Sequence, residues 1–234
     1  MDSFPGVRRL VVDDGQAVQR RSRHEMRCRA IPMDGHNDLH QSHEIFVHIR
    51  IIVGMILGIS IARLVSGVTR FLQHPGKERI NLHHVGWAIF LFVAIIHFWW
   101  FEFALSRIER WTFESYFLII CYAVVFVMLA AMVFPDNMGE HDGLKEYFWN
   151  RRKVFYVLLL IMFSVDILDT LLKGANYYKQ IYGWYYPVRQ SLLIGGTIGA
   201  LLSASQRYHV AFVAFALAFQ IIWVVSLFGV LGPA

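Results

Sequence analysis

Residues 153–174 read KVFYVLLLIMFSVDILDTLLKG. The run is long and apolar enough to cross the hydrocarbon core of a bilayer, which takes roughly 20 residues of helix. Its second half nevertheless carries Asp166, Asp169 and Lys173. A charge at such a depth costs about 2.5–3.5 kcal/mol on insertion scales, so it is retained where it faces a bundle interior, is paired, or has a function. On a helix, Asp166, Asp169, Thr170 and Lys173 share one face. Asp169 and Lys173 make an acid-first i,i+4 pair, which neutralises one carboxylate locally. Asp166 lies about a turn deeper and has no such local partner. Arg50 and Arg189 are the cations of matching depth that are expected to serve it.

The rest of the chain repeats the apolar pattern. Of its 234 residues, 56% are hydrophobic, above the 45–50% usual for a soluble domain. Apolar runs at about 45–67, 83–105, 113–134, 153–173, 187–205 and 209–231 are six candidate spans. The runs are continuous and not of the alternating type that builds outer-membrane barrels. The fold class expected is all-α: an integral membrane protein, a six-helix transmembrane bundle. The spans leave little chain for a soluble domain, so residues 45–234 read as one membrane domain. Residues 1–44 differ: they are Arg-rich, contain acids and lack apolar periodicity, and read as a disordered basic tail. Met33 opens a natural lead-in to the first span, which makes 1–32 a candidate over-long start.

Six spans put both termini on one side, here the N-terminal side. Basic residues near the spans are more numerous on the opposite side, which the positive-inside rule makes cytoplasmic, with the termini outside. The pattern is that expected of a bacterial inner-membrane protein. Independently of orientation, the intramembrane acids gather in one leaflet. Glu102 ends the second span, Glu114 starts the third, and Asp166 and Asp169 end the fourth. Arg50, Arg189 and His97 belong to the same leaflet. The opposite leaflet holds Arg63, His83, His84 and His209, and no acid within a span.

His97 and Glu102 are five residues apart and diverge by about 140° on a straight α-helix. Glu102 follows the aromatic run Phe98, Trp99, Trp100 and Phe101 and reads as an interfacial carboxylate at headgroup level. His97 reads deeper, as a packing residue or a proton acceptor. Gly54 and Gly58 in the first span, and Gly195 and Gly199 in the fifth, have the four-residue spacing that lets helices approach closely in lipid. They serve internal packing or a homo-oligomer face. The aromatic loop 174–190 reads as an interfacial girdle, or as a wall over a polar floor of Asp166, Asp169 and Arg189.

Several chemistries lack their residues. The sequence has no Gly-x-Ser-x-Gly element, no His-Glu-x-x-His, no nucleotide-binding loop and no zinc spacing of its two cysteines. His48 and His97 share a leaflet, which admits at most one haem. No cofactor or metal is expected, and no nucleic-acid partner; the expected partner is the lipid bilayer. The leading functional expectation is a transporter or channel for protons or a small charged solute. Asp166 would titrate, Asp169 would be biased by Lys173, Arg50 and Arg189 would be counter-charges, and His97 would accept a proton. The alternatives are a non-transporting assembly or sensor module with structural ion pairs, and a membrane enzyme or single-haem carrier.

Overall fold

A computed structural model describes residues 34–73, 82–108, 111–135, 143–174 and 178–227. Residues 1–33 of the basic tail, with the candidate start at Met33, lie outside them, as does Tyr177 of the aromatic loop. The described residues contain six α-helices: α1 (Asp34–Gln73), α2 (Leu82–Phe101), α3 (Phe113–Val133), α4 (Leu144–Leu172), α5 (Tyr185–Leu202) and α6 (Gln206–Leu227). A 3-10 turn, Glu102–Arg107, follows α2, and a π turn, Tyr178–Tyr182, precedes α5. No strand occurs among the described residues. The chain divides into two units at 41/42. In the first, the described residues 34–41 are helical. The rest of the fold belongs to the second.

Five stretches are long and apolar enough to cross a membrane: Ser42–Arg70, His83–Ser106, Phe113–Val133, Leu144–Leu172 and Gln206–Leu227. Helix α5 does not join them. It has 18 residues and opens with YYPVRQ, so its first turns are polar. The expected all-α bundle of six helices is present, with five helices long and apolar enough to span and one shorter and more polar. Helix α4 is longer than expected, at 29 residues or about 43 Å. The segment from Leu144 to Lys153 forms its first turns.

Neighbours in the bundle follow chain order and then close: α2 packs on α3, α3 on α4, α4 on α5, α5 on α6, and α6 on α2. The result is a ring of five helices. Large side chains fill it, with Trp87, Phe90, Phe126, Phe155, Tyr156 and Phe163 fully buried. Lipid offers no hydrophobic drive between helices, so such a bundle is held by close packing and polar contacts. Helix α1 stands outside the ring. It buries Ile49, Val53, Leu57 and Leu64 and exposes Ile51, Met55, Ile59 and Val65, the two faces of a helix lying between a bundle and lipid.

The glycines divide accordingly. A Cβ on Gly54 would stand 2.6 Å from the Trp99 ring, so this residue lets α1 approach α2. A Cβ on Gly199 would collide with Tyr208, whose hydroxyl donates to the Gly196 carbonyl at 2.9 Å. Gly58 and Gly195 face open space. The first two are internal packing positions and the second two are not.

Candidate functional site

The polar groups of the N-terminal side are carried by the ends of α2, α4 and α6 and the starts of α3 and α5, which the ring brings together. Two adjacent nodes result, and both use the last turns of α4.

The first node is Asp166. Tyr122 of α3 donates its hydroxyl to Oδ1 at 2.9 Å. Gln190 of α5 donates to Oδ2 at 2.7 Å and spends its other amide hydrogen on the Phe163 carbonyl at 3.0 Å. The Tyr186 hydroxyl lies 2.9 Å from Oδ2 and accepts from Thr170 at 3.0 Å. It also lies 3.0 Å from the Asp166 carbonyl, but its single proton goes preferentially to the carboxylate, the stronger acceptor. Arg189 stands 3.6 Å from Oδ2. Both carboxylate oxygens are therefore served, and of the two cations expected for Asp166 it is Arg189 that stands beside it. The partners come from α3 and α5, which no spacing along α4 reveals.

Arg189 is itself held. It donates to Gln190 Oε1 at 2.8 Å and to Gln220 Oε1 of α6 at 2.6 Å. Its guanidinium lies 5.2 Å from the centre of the Trp223 ring, a cation–π contact. Asp166, Gln190, Arg189 and Gln220 thus link α4, α5 and α6, with Tyr122 adding α3.

The second node is Lys173. Its Nζ donates to Asp169 Oδ2 at 2.6 Å and to Glu102 Oε1 at 2.9 Å. All three side chains are 2–4% exposed. Glu102 is therefore not an interfacial carboxylate, and that expectation is corrected. The physical reason is helical register. Glu102 follows the buried Phe98 by four residues and the buried Ile95 by seven, so it falls on the inward face of α2, just where the chain passes into the 3-10 turn Glu102–Arg107. The expected i,i+4 pair of Asp169 and Lys173 is present, but one lysine now serves two acids. The remaining oxygens, Glu102 Oε2 and Asp169 Oδ1, are buried and have no hydrogen-bond partner among the described residues.

Two expected members lie elsewhere. Arg50 is not a counter-charge to Asp166: its guanidinium sits 3.8 Å from the centre of the Phe103 ring and 5.2 Å from that of Trp99. No carboxylate pairs with it among the described residues. It is a cation laid on aromatic faces where α1 meets the end of α2. His97 packs on Phe101 with ring centres 4.4 Å apart, and its Nε2 is buried with no hydrogen-bond partner among the described residues. His48, the second histidine considered for a haem, is exposed on α1.

Over the two nodes lies a small aromatic core of Phe101, Ala104, Tyr182, Tyr186, Trp223 and Leu227. Tyr182 stacks on Trp223 at 5.8 Å and lies 5.2 Å from Tyr186. The aromatic loop is thus split. Tyr182 and Tyr186 are a wall against the polar groups, whereas Trp184 and Tyr185 are exposed and stacked on each other. Sequence reasoning missed Tyr122, Gln220 and Trp223. The available signal was a phenol and an amide placed within otherwise apolar spans, where an unpaired polar group is costly.

Comparison with known proteins returned no matching family model, no matching curated protein and no matching solved structure.

Proposed function

We propose that the chain is a proton-handling membrane protein, a transporter or channel in which the carboxylate pair Glu102 and Asp169 around Lys173 takes up and releases one proton. The observation that carries this reading is the excess of buried acid. Glu102, Asp166 and Asp169 face two cations, Lys173 and Arg189, which leaves one negative charge in surroundings that solvate it poorly. One bound proton neutralises the layer, and the two free oxygens of the Lys173 node offer it a place. Two carboxylates close to each other cannot both ionise at ordinary cost, which is how shared-proton sites arise. The titrating role thus moves from Asp166 to its neighbours, and Asp166 becomes the support that positions them.

The test is an infrared difference spectrum of the purified chain in lipid between acid and alkaline pH, paired with proton flux into liposomes. Wild type shows a carboxylic acid band that Glu102→Gln or Asp169→Asn removes, and flux falls at least tenfold in the same variants. A spectrum without such a band, or flux equal in wild type and both variants, overturns the reading.

A second reading rests on the other node. Asp166 is fully bonded, and its partners tie α3, α4, α5 and, through Arg189, α6. This supports a non-transporting assembly or sensor module whose charges fix helix register. It predicts equal stability losses at every acid of the layer.

A further inference from the structure

On the side of the bundle opposite the carboxylates, a cavity of about 290 Å³ is lined by His83, Lys145, Phe148, Trp149, Gln206 and His209, among others. We infer that this cavity binds the phosphate group of an anionic ligand, either a phospholipid headgroup or a free phosphate.

Its charge is one-sided. No Asp or Glu is among the residues that line it, whereas Lys145 is. Arg152 leans against the lining residue Trp149, with its guanidinium 4.7 Å from the ring centre and Nη1 donating to the Trp149 carbonyl at 2.8 Å. The lining also includes the starts of two helices, α4 at Lys145 and α6 at Gln206. Their first amide groups point out of the helix toward its N-terminal end, where a negative group is favoured. At α4 the residue before the helix is Gly143, which has no side chain to cap those amides.

The polar wall is fixed in advance. The Ser203 carbonyl accepts from His209 Nε2 at 3.2 Å, which assigns the ring proton to Nε2 and leaves Nδ1 to accept from Tyr156 at 2.9 Å. Trp87 donates to His83 Nε2 at 3.2 Å, and the Tyr156 hydroxyl lies 3.3 Å from the same nitrogen. The Tyr156 hydroxyl has one proton, which anchors His209, while Trp87 anchors His83, on which Phe148 packs with ring centres 4.4 Å apart. A rigid aromatic wall with a lysine at the mouth binds a compact anion without ordering much chain. The location fits as well, because the ends of α2, α4 and α6 line it, and basic pockets between helix ends take anionic lipid headgroups. Among the described residues no group of three or more His, Cys, Asp or Glu is arranged to hold a metal ion, so the histidines serve as wall and not as a metal site.

The experiment uses the full chain in phosphatidylcholine nanodiscs and follows thermal unfolding at constant ionic strength, maintained with sodium chloride. In one arm inorganic phosphate is titrated, and in the other the nanodiscs contain phosphatidylglycerol. At a hundredfold excess over Kd, binding raises Tm by roughly 5–10 °C. A rise with inorganic phosphate identifies a free phosphate site. A rise with phosphatidylglycerol alone identifies a headgroup site. In either case Lys145→Met, at an exposed position where folding is not at stake, removes most of the rise, and His209→Gln, which keeps the ring's hydrogen-bonding capacity in part, reduces it. No rise in either arm, or a rise undiminished in Lys145→Met, overturns the inference.

Discussion

Asp166 and Asp169 stand three residues apart on the same helix and have opposite surroundings. Asp166 accepts from Tyr122, Gln190 and Tyr186 and stands beside Arg189, while its side chain keeps 21% of its exposure. Asp169 is 4% exposed, shares its single cation with Glu102 and has one oxygen unserved. The more accessible acid is the better satisfied. Burial alone therefore does not single out a functional carboxylate in this bundle; the balance of donors to acceptors does.

The largest expected effect comes from removing the shared cation. Lys173→Met leaves Glu102 and Asp169 buried without a counter-charge, and a loss of about 3–5 kcal/mol is expected from unfolding in detergent. A smaller loss would mean that the two acids were already neutral as a pair. Asp166→Ala is expected to cost about 3 kcal/mol, because Arg189 loses its carboxylate and three donors lose their acceptor. Tyr122→Phe removes one hydroxyl donor to a charged group and should cost about 1.5–3 kcal/mol by the same measurement.

Glu102→Gln should behave differently. The amide removes the excess negative charge, and Lys173 keeps Asp169, so stability should change by less than about 1 kcal/mol or increase. A loss equal to that of Asp166→Ala would erase the distinction between the nodes and favour the structural reading. A parallel contrast exists on α1. Gly54→Ala drives a methyl group into Trp99 and should lower stability by about 1–3 kcal/mol. Gly58→Ala meets nothing and should be neutral or gain up to about 1 kcal/mol from helix propensity.

Much of this is legible in the sequence. The apolar runs mark the helices, and the 3.6-residue period predicts the Asp169–Lys173 pair. Alternation of the spans across the bilayer is enough to bring Glu102, Asp166, Asp169, Lys173 and Arg189 into one leaflet. The partners across helices are not legible. Which helix meets which depends on ring closure, and the contact of α6 with α2 has no local signal. Glu102 is misplaced because the neighbouring aromatic run points to the membrane interface, whereas its helical register with Ile95 and Phe98 puts it on the buried face of α2. Arg50 is misassigned because matching depth says nothing of azimuth: α1 lies outside the ring, and its arginine meets aromatic faces before it can reach Asp166. Helix α5 reads as a full span although its polar first turns carry Arg189 and Gln190, the residues that complete the Asp166 node.

The link between Glu102 and Lys173 joins residues 71 positions apart. At 5–20 residues per second of synthesis, the acid emerges roughly 4–14 s before the lysine that will neutralise it. Throughout that interval it is a carboxylate at the lip of a freshly inserted span, free to stay in contact with water because it lies just beyond the last turn of α2. Only when α4 has been threaded and Lys173 arrives can it be drawn inward. Its burial is therefore a late event in biogenesis, and a chain stalled before residue 173 should still leave Glu102 open to water.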